Sequence, residues 1–333
     1  MGGEIRCVVV GYGPSYGWGH RHAEWIERTR GLSLHGICDI DADARSNARK
    51  TFGDRVKIFP DFEDVLADDE VDLVSLVTPH DTHAPLAIRA LQASKHVLTD
   101  KVMCLTTAEA DTMIRAAKES GRMLSVFQNR RFDSDFLTVQ KVIQDGWLGD
   151  VFLVESSVCG YDRPSGWRAM KKHGGGVLYD WGAHLLDQAL QLIDSQPKTV
   201  FADVQKRVWD MDVETFAKVI IRFENGCIFE VDLGNVQWSS KPRWRIFGEN
   251  GTLRKETLEP GDKARVTTSV SGVAADLLID SIQGDRGGLY GNISAHLNEG
   301  AQLLVEPDDV RKSISLIEAA FESAESGKSV SVN

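Results

Sequence analysis

Residues 7–26 read CVVVGYGPSYGWGHRHAEWI, and this stretch decides the fold. A short apolar run leads directly into Gly11 and Gly13, and a helical pattern follows. Glycines at this place let the backbone turn tightly and approach a pyrophosphate, whose charge is favoured at a helix N-terminus. The glycine that opens the helix is best placed at Gly19, so the spacing is GxGxxxxxG with residues 14–16 as an extension of GxGxxG. A glycine-rich turn without a ligand is the alternative interpretation.

Asp39 ends the second apolar run, about 20 residues beyond the start of the glycine helix. A carboxylate at this position accepts hydrogen bonds from the adenosine ribose and repels a 2′-phosphate. Asp41 adds a second negative charge, and the positions directly after Asp39 hold no arginine. The pattern therefore favours NAD over NADP as the cofactor. Either aspartate could instead cap the helix that begins near residue 42.

Apolar runs and helical patterns alternate through the first third of the chain. The runs fall at 6–10, 34–39, 73–78, 96–99 and 123–128, and the helical patterns at 21–30, 42–51, 84–94 and 107–120. Strands and helices in this order are joined by right-handed crossovers into a parallel, doubly wound sheet. We therefore predict an NAD-binding Rossmann domain over residues 1–126.

The pattern changes between residues 126 and 151. Strand-like runs then follow one another with few helices between them, at 151–158, 199–208, 215–223 and 227–234. Asn225-Gly226 and Asn250-Gly251 indicate tight turns, and two helical stretches, 290–304 and 307–326, close the chain. We predict a second α/β domain over residues 127–333 with a large, mostly antiparallel sheet.

The composition argues against several classes of function. The 333 residues carry a formal net charge of −11, and no lysine or arginine run forms a basic stripe, so nucleic acid is not an expected partner. No segment approaches the ~20 apolar residues of a membrane helix, and the N-terminus lacks the pattern of a signal peptide. A cytoplasmic protein without membrane contact is expected. Five scattered cysteines argue against disulfides and against a thiolate metal site.

Two blocks of the sequence resemble the glucose-fructose oxidoreductase / inositol dehydrogenase / rhizopine catabolism family (Gfo/Idh/MocA). Residues 74–106 read VSLVTPHDTHAPLAIRALQASKHVLTDKVMCLT, where Thr78-Pro79-x-x-x-His83 is similar to the family's TPNxxH stretch. In the same block Asp100-Lys101-Val102 resembles its Glu-Lys-Pro motif. Residues 173–188, HGGGVLYDWGAHLLDQ, are similar to the signature GGGxxxDxGxHxxD. The C-terminal stretch also resembles the family's closing helix, so the resemblance spans nearly the whole chain.

The resemblance implies hydride transfer between nicotinamide and a hydroxyl-bearing carbon of a sugar, glycoside or inositol. It assigns the general base or acid to His184, and it assigns to Asp180 a role in holding the substrate or steadying His184. Lys101 would bind the reacting oxygen and the nicotinamide ribose. The resemblance further implies that the second domain's sheet has an open face, often used for oligomer contacts, so a homodimer or homotetramer is expected.

The chemistry fits these residue types. Oxidation of a secondary alcohol needs a base for the hydroxyl proton and a donor or cation for the oxygen. On the predicted helix that follows the three glycines, Asp180, His184 and Asp187 stand at i, i+4 and i+7, so all three are expected to project from one face. Taken singly, the aspartate and the histidine each have an alternative interpretation. An aspartate near a helix start is often a cap, and a lone histidine is often a core residue.

Other residues are predicted to contribute to the cofactor site or the substrate site. Thr78, Pro79 and His83 are predicted beside the cofactor, and Arg130 and Arg131 beside the substrate, with solvated surface charge as the alternative for the arginines. The residues expected to offer an aromatic face or hydrogen bonds to a polyol ring are Tyr161, Trp167 and Arg168, whereas Trp238 and Trp244 are expected to be packing residues.

Three alternatives remain beside the dehydrogenase. Histidine and carboxylates at helical spacing can bind zinc, but no HExxH-like set or cysteine ligand accompanies them, so no metal is predicted. An enzyme that oxidises a glycoside transiently and ends with cleavage would use the same residues. A non-catalytic NAD-binding sensor would need the nucleotide site without Lys101, Asp180 and His184. In Asp-Lys-Val the family's proline is lost, which could place Lys101 differently.

Overall fold

The computed structural model describes residues 4–13 and 17–332, so the extension at residues 14–16 lies outside the described part. The chain divides into two compact units, Met1–Gln128 with Gly287–Arg311 and Asn129–Arg286 with Lys312–Asn333. The first segment of unit 1 ends at Gln128, close to the predicted domain boundary at 126/127. The units differ from the predicted domains 1–126 and 127–333 because the late segment Gly287–Arg311 belongs to the first unit.

The described residues form strands and helices with the following bounds. The strands are β1 (Ile5–Val10), β2 (Leu32–Cys38), β3 (Lys57–Phe59), β4 (Leu73–Leu76), β5 (His96–Asp100), β6 (Leu124–Phe127), β7 (Val151–Cys159), β8 (Pro197–Gln205), β9 (Phe216–Phe223), β10 (Ile228–Gly234), β11 (Trp244–Gly248), β12 (Gly251–Lys255), β13 (Ala264–Val270), β14 (Val273–Ile279) and β15 (Val330–Ser331). The helices are α1 (Trp18–Arg28), α2 (Ala42–Phe52), α3 (Phe62–Ala67), α4 (His80–Gln92), α5 (Thr107–Ser120), α6 (Ser134–Gln144), α7 (Ala183–Leu192), α8 (Gly288–Glu299) and α9 (Pro307–Ser326).

The first unit contains a six-stranded sheet in the order β3-β2-β1-β4-β5-β6, with all neighbours parallel. Strand β4, in the middle of the sheet, and strand β6, at its edge, are buried along their whole length, which is typical of a parallel sheet covered by helices on both faces. This arrangement confirms the predicted doubly wound Rossmann sheet. It also places the ends of β1, β4 and β5 at one edge of the sheet, where such folds bind ligands.

Helix α8 belongs to the first unit because of Tyr290, whose ring is fully buried there. The Tyr290 hydroxyl lies 2.6 Å from Nδ1 of His22 in α1 and 2.8 Å from Oγ of Ser75 in β4. A buried tyrosine contributes a large apolar ring and needs a partner for its hydroxyl, and both requirements are met within this unit. These contacts correct the prediction that the segment lies in the second domain.

The second unit contains a nine-stranded sheet in the order β14-β13-β12-β11-β7-β10-β9-β8-β15. Only β7 and β10 run parallel among these described pairs, so the prediction of a mostly antiparallel sheet is confirmed. Residues of β8 and β9 alternate between buried and more exposed, so one face of the sheet packs and the other is open. The β9–β10 hairpin turns at Asn225-Gly226 as predicted, with Gly226 at a φ of +89°.

In the part of the chain that the structure describes, no helix combines the length and the apolar character that a bilayer crossing requires.

Candidate active site

The glycine turn joins β1 to α1 by a very close approach of two backbones. A Cβ on Gly19 would lie 2.4 Å from the carbonyl oxygen of Gly11 and 2.6 Å from Cα of Tyr12, so only glycine fits there. Gly11 has a φ of +95°, and its N–H donates to the carbonyl of Cys38 at the end of β2. The helix therefore starts tightly against the strand end, as the placement of the opening glycine at Gly19 predicted.

Asp39 holds this turn from the neighbouring strand. Its Oδ2 accepts hydrogen bonds from the backbone N–H groups of Tyr12 and Gly13, both at 2.7 Å, and its Oδ1 accepts from the N–H of Asp41 at 2.8 Å. The carboxylate of Asp41 accepts from the N–H of Ala44 and is thus the cap of α2. The capping alternative therefore applies to Asp41, whereas Asp39 fixes the turn that the sequence assigned to the cofactor.

Arg45 is a residue at this site that the sequence analysis missed. It lies in the first turns of α2, and its Nη1 donates to the carbonyl oxygens of Asp39 and Ile40, both at 2.8 Å. The prediction from sequence covered only the positions directly after Asp39. Helix α2, however, places a residue six positions later against the end of β2. A guanidinium therefore stands beside the expected ribose carboxylate.

His83 connects the ends of two neighbouring strands. Its ring is fully buried, with Nδ1 2.7 Å from the carbonyl oxygen of Val102 and Nε2 2.9 Å from that of Thr78. Burial lowers the pKa of this imidazole below its ordinary value. The side chain binds the backbone after β4 and after β5, and its place beside the cofactor stays a prediction. Thr78 and Pro79 themselves lie between β4 and α4.

Lys101 follows β5 directly and is half-buried. Its backbone N–H donates to Oδ1 of Asp100 at 2.8 Å, and the Lys101–Val102 peptide bond is cis. The Val102 side chain, which stands where the family motif has proline, is fully buried. The lysine thus lies at the carboxyl edge of the parallel sheet, on the same backbone segment that His83 holds.

In the second unit, the glycine block at 174–176 packs against a buried carboxylate. Gly176 has a φ of +100°, and a Cβ there would lie 2.2 to 2.4 Å from the carboxylate atoms of Glu214. Oε1 of Glu214 accepts a hydrogen bond from the N–H of Leu178 at 3.0 Å. Burial raises the pKa of Glu214 to about 7, against the lowering effect of that bond. Nothing in the sequence pattern pointed to this glutamate.

Asp180 lies in a π-helical turn, Leu178–Gly182, that precedes α7. Such turns occur frequently at functional sites. Its Oδ1 is 3.5 Å from Nε of Arg168, and the Arg168 guanidinium stands over the ring of Trp167, 4.3 Å from the centroid. The structure therefore brings Asp180 together with Trp167 and Arg168, and the ion pair between Asp180 and Arg168 is only partly exposed.

His184 lies in the first turn of α7 and is 4% exposed. Its ring meets the ring of Trp181 edge to face, with centroids 5.9 Å apart, and the Arg130 guanidinium covers that tryptophan at 4.0 Å. Arg130 is also paired with Asp133 at 2.7 Å, and burial lowers the pKa of its guanidinium. Arg130 is consequently part of the packing around His184 and not a solvated surface charge.

Arg131 does not have the surroundings expected of a substrate ligand. Its Nε and Nη2 donate to the two carboxylate oxygens of Asp187 at 2.7 and 2.6 Å, and both side chains are almost fully buried. Oδ1 of Asp187 also lies 3.3 Å from Oγ of Ser313. A bidentate buried pair of this kind is a structural element. Arg131 and Ser313 thus hold the Asp187 carboxylate, and a contact of Arg131 with the substrate stays a prediction.

The tryptophans expected to be packing residues differ from each other. Trp244 is fully buried, and its Nε1 donates to Asp135 at 2.8 Å. Trp238 is 83% exposed and stacks on Tyr161, with ring centroids 3.8 Å apart and planes 20° from parallel. The prediction is confirmed for Trp244 and is wrong for Trp238.

One group of possible metal ligands occurs among the described residues, formed by His35, Asp68 and Glu70. The ammonium of Lys57 lies 3.0 Å from Asp68 and 2.6 Å from Glu70, so a cationic side chain already pairs with the carboxylates. The geometry of this group supports an ion-pair network.

Comparisons with known proteins agree with this architecture. A model described as an oxidoreductase family with an NAD-binding Rossmann fold matches residues 5–128, and a model of the GFO/IDH/MocA C-terminal domain matches residues 136–254. The chain is 29% identical to scyllo-inositol 2-dehydrogenase (NADP(+)) IolW of Bacillus subtilis (strain 168), covering 98% of this chain and 95% of that protein. It is 33% identical to the oxidoreductase YdgJ of Escherichia coli (strain K12), over 79% and 74% of the two chains. An NAD-binding protein from Listeria innocua has a crystal structure that matches with a TM-score of 0.91, at 31% identity and 99% coverage of both chains.

Proposed function

The chain belongs to the Gfo/Idh/MocA family of oxidoreductases, and from this premise we propose that it transfers a hydride between NAD and a secondary hydroxyl of a sugar, glycoside or inositol. The observation that carries the proposal is the π-helical turn of the second unit. It presents Asp180, paired with Arg168, directly ahead of His184. A base, a carboxylate and a guanidinium on one short segment suit the binding and deprotonation of a polyol.

In the proposed mechanism His184 accepts the hydroxyl proton on a ring nitrogen, since a neutral imidazole is a base near physiological pH. Asp180 accepts hydrogen bonds from neighbouring hydroxyls and is kept in place by Arg168. Lys101 stabilises the developing negative charge on the substrate oxygen with its ammonium. When bound, NAD supplies the hydride acceptor, and the close glycine turn at Gly11 and Gly19 suits its pyrophosphate.

NAD is the proposed cofactor because of Asp39. Its carboxylate is fixed by two backbone hydrogen bonds at the glycine turn, where it would accept hydrogen bonds from ribose hydroxyls and repel a 2′-phosphate. Arg45 acts in the opposite direction, because its guanidinium stands one helical turn away and could attract a phosphate. IolW is named for NADP(+), so the proposal requires a direct comparison of the two nucleotides.

The test is the formation of NADH at 340 nm by purified protein with NAD and a panel of pyranoses, glycosides and inositols, scyllo-inositol included. Wild-type protein should reduce NAD with at least one member. Lys101→Met and His184→Gln should lower kcat at least a hundredfold, because each removes a group that acts on the reacting oxygen or its proton. Lys118→Met is the matched control, since Lys118 is an exposed lysine of the same unit.

Two results would redirect the assignment. Product formation without accumulation of NADH would favour cleavage through transient oxidation. Binding of NAD without turnover of any panel member, in wild type and variants alike, would favour a sensor.

We also propose a homo-oligomer, dimer or tetramer, built on the open face of the nine-stranded sheet. One row across that face contains Glu230 beside Glu155, then Arg245, Arg254 and Arg265 on successive strands. Within the chain the three arginines of the row pair with Glu155, Glu256 and Asp276, and their side chains stay about half exposed. A two-fold partner could place its acidic pair opposite the basic strands, which makes the row complementary to itself. Light scattering coupled to gel filtration tests this, and Arg254→Glu should shift the mass toward the monomer.

A further inference from the structure

Trp238 and Tyr161 form an aromatic platform on the second unit, and we name this stacked pair the platform. Exposure of 83% is unusual for a tryptophan, because its ring is among the largest apolar surfaces a residue can offer to water. One face of the Trp238 ring lies on Tyr161, so the other face is available. The platform is therefore flat, apolar and open on one side.

The platform is fixed by the backbone around it. Tyr161 pairs with Val236 as an isolated antiparallel bridge, and the N–H of Gln237 donates to the carbonyl of Gly160 at 2.9 Å. Trp209 packs on Tyr161 from a third segment, with ring centroids 5.2 Å apart. Three segments thus hold the ring of Tyr161 on which Trp238 rests. Because the site is already ordered, a ligand that stacks here would lose little binding free energy to ordering it.

The platform adjoins a cavity that reaches the candidate catalytic turn. The cavity has a volume of about 140 Å³, and its lining includes Gly160, Asn235 and Trp181. Trp181 belongs to the π-helical turn that carries Asp180, whereas Gly160 directly precedes Tyr161. The lining therefore includes one residue of that turn and the residue next to Tyr161.

The size of the cavity indicates the kind of ligand. Sites that enclose a whole drug-sized ligand typically measure ~300–1,000 Å³, so this cavity can enclose only a small part of such a molecule. A second ring attached to the enclosed part would extend outward to the platform. On the two segments of the platform the nearest side chains include uncharged Gln237, Ser239 and Ser240 and charged Asp162, Arg163 and Lys241. Both kinds can form hydrogen bonds with the hydroxyl groups of a sugar.

On this basis we propose that the platform is an outer subsite that binds the second ring of a glycosidically linked sugar. The apolar C–H face of that ring stacks on Trp238, and its hydroxyls meet the surrounding polar side chains and water. The inference rests on the proposed function, since it makes the substrate a disaccharide or larger glycoside, with the reacting ring toward Asp180 and His184. Free inositols and monosaccharides lack the ring that the platform binds.

Isothermal titration calorimetry on the full-length protein with bound NAD tests the proposal without requiring turnover. The probes are a set of disaccharides, maltose, cellobiose and trehalose among them, with glucose and methyl glucoside as one-ring comparisons. At least one disaccharide should bind wild type more tightly than both one-ring sugars. Trp238→Ala should weaken that binding about tenfold and Trp238→Phe should largely restore it, while the one-ring sugars change less than twofold. Trp147→Ala is the control, because Trp147 is an exposed tryptophan of the same unit.

The inference is overturned if no disaccharide binds more tightly than the one-ring sugars, or if Trp238→Ala leaves the preference unchanged. A change from oligomer to monomer in Trp238→Ala would also overturn it, since the platform would then be a contact with a second copy of this chain. The proposed function fails separately, if no sugar or inositol in the NADH assay is oxidised. A disaccharide that binds through Trp238 without being oxidised would retain the subsite and refute the dehydrogenase.

Discussion

Replacing Glu214 by glutamine should make the protein more stable at high pH and have little effect at low pH. The glutamine keeps an oxygen that can accept the N–H of Leu178, as Oε1 of the glutamate does at 3.0 Å, and it fits the space beside Gly176. What it removes is the charge that a buried carboxyl must acquire when it ionises. Burial raises the pKa of Glu214 from 4.5 to about 7.

The sign and size of the effect follow from proton linkage. Between pH 4.5 and 7 the folded state holds a proton that the unfolded chain has released, so stability is present below pH 4.5 and is lost as the pH rises through 7. The pKa change lowers the free energy of unfolding by about 3 kcal/mol in full. About 2–3 kcal/mol of this loss falls between pH 5 and pH 8. Glu214→Gln should therefore gain about 2–3 kcal/mol over wild type across that range.

The pH dependence of the free energy of unfolding of the wild type would not by itself reveal this effect. Burial lowers the pKa of His22 and of His96 from 6.5 to about 4, so the unfolded chain binds their protons first and stability is lost as the pH falls below 6.5. Each histidine contributes up to about 3 kcal/mol in the direction opposite to Glu214. The quantity to measure is thus the difference between wild type and variant.

Urea unfolding at pH 5, 6, 7 and 8, with tryptophan fluorescence as the signal, measures that difference. Glu224→Gln is the matched control, because Glu224 is an exposed glutamate of the same unit and should show no such trend. A difference between wild type and Glu214→Gln that stays constant from pH 5 to pH 8 would refute the reasoning. So would an equal trend in the control.

Three further variants test other parts of the structure. Gly19→Ala would place a Cβ 2.4 Å from the Gly11 carbonyl, so NADH binding followed by fluorescence should weaken at least tenfold, and unchanged binding would contradict the close turn. Asp39→Ser should lower the preference for NAD over NADP at least tenfold in kcat/KM, and an unaltered ratio would remove Asp39 from the ribose site. Arg131→Met should cost about 3–5 kcal/mol in urea unfolding because it leaves Asp187 buried and unpaired, whereas KM should be unchanged at temperatures where the variant is folded.

The parts of the fold that were predictable from sequence are those whose signal is local. The alternation of strands and helices depends on hydrophobic periodicity within each segment, and the glycine turn depends on residues close in sequence. The opening glycine at Gly19 could therefore be placed without knowing the fold. The turn at Asn225-Gly226 was predictable for the same reason, since two residues determine its geometry.

The features that escaped prediction depend on partners far apart in sequence. From its sequence context Arg131 is interpreted as a residue beside the substrate or a solvated surface charge, until Asp187, 56 residues away, is placed beside it. Glu214 reads as an ordinary residue near a strand until its carboxylate meets the glycine block. Helix α8 was recognised as a helix, but periodicity identifies a buried face without identifying what buries it. The π-helical turn has no periodic signature that distinguishes it from the helix that follows.

The late return of Gly287–Arg311 to the first unit has a consequence for biosynthesis. A ribosome synthesises residues up to 128 long before Tyr290 exists, and translation at ~5–20 residues per second separates the two by roughly eight to thirty seconds. During that interval His22 and Ser75 lack their tyrosine partner, and the nascent Rossmann sheet lacks the helix that covers this site. The nucleotide-binding unit is thus complete only when residues up to 311 have emerged, so a transcript truncated before codon 287 would encode a nucleotide-binding unit that lacks this helix.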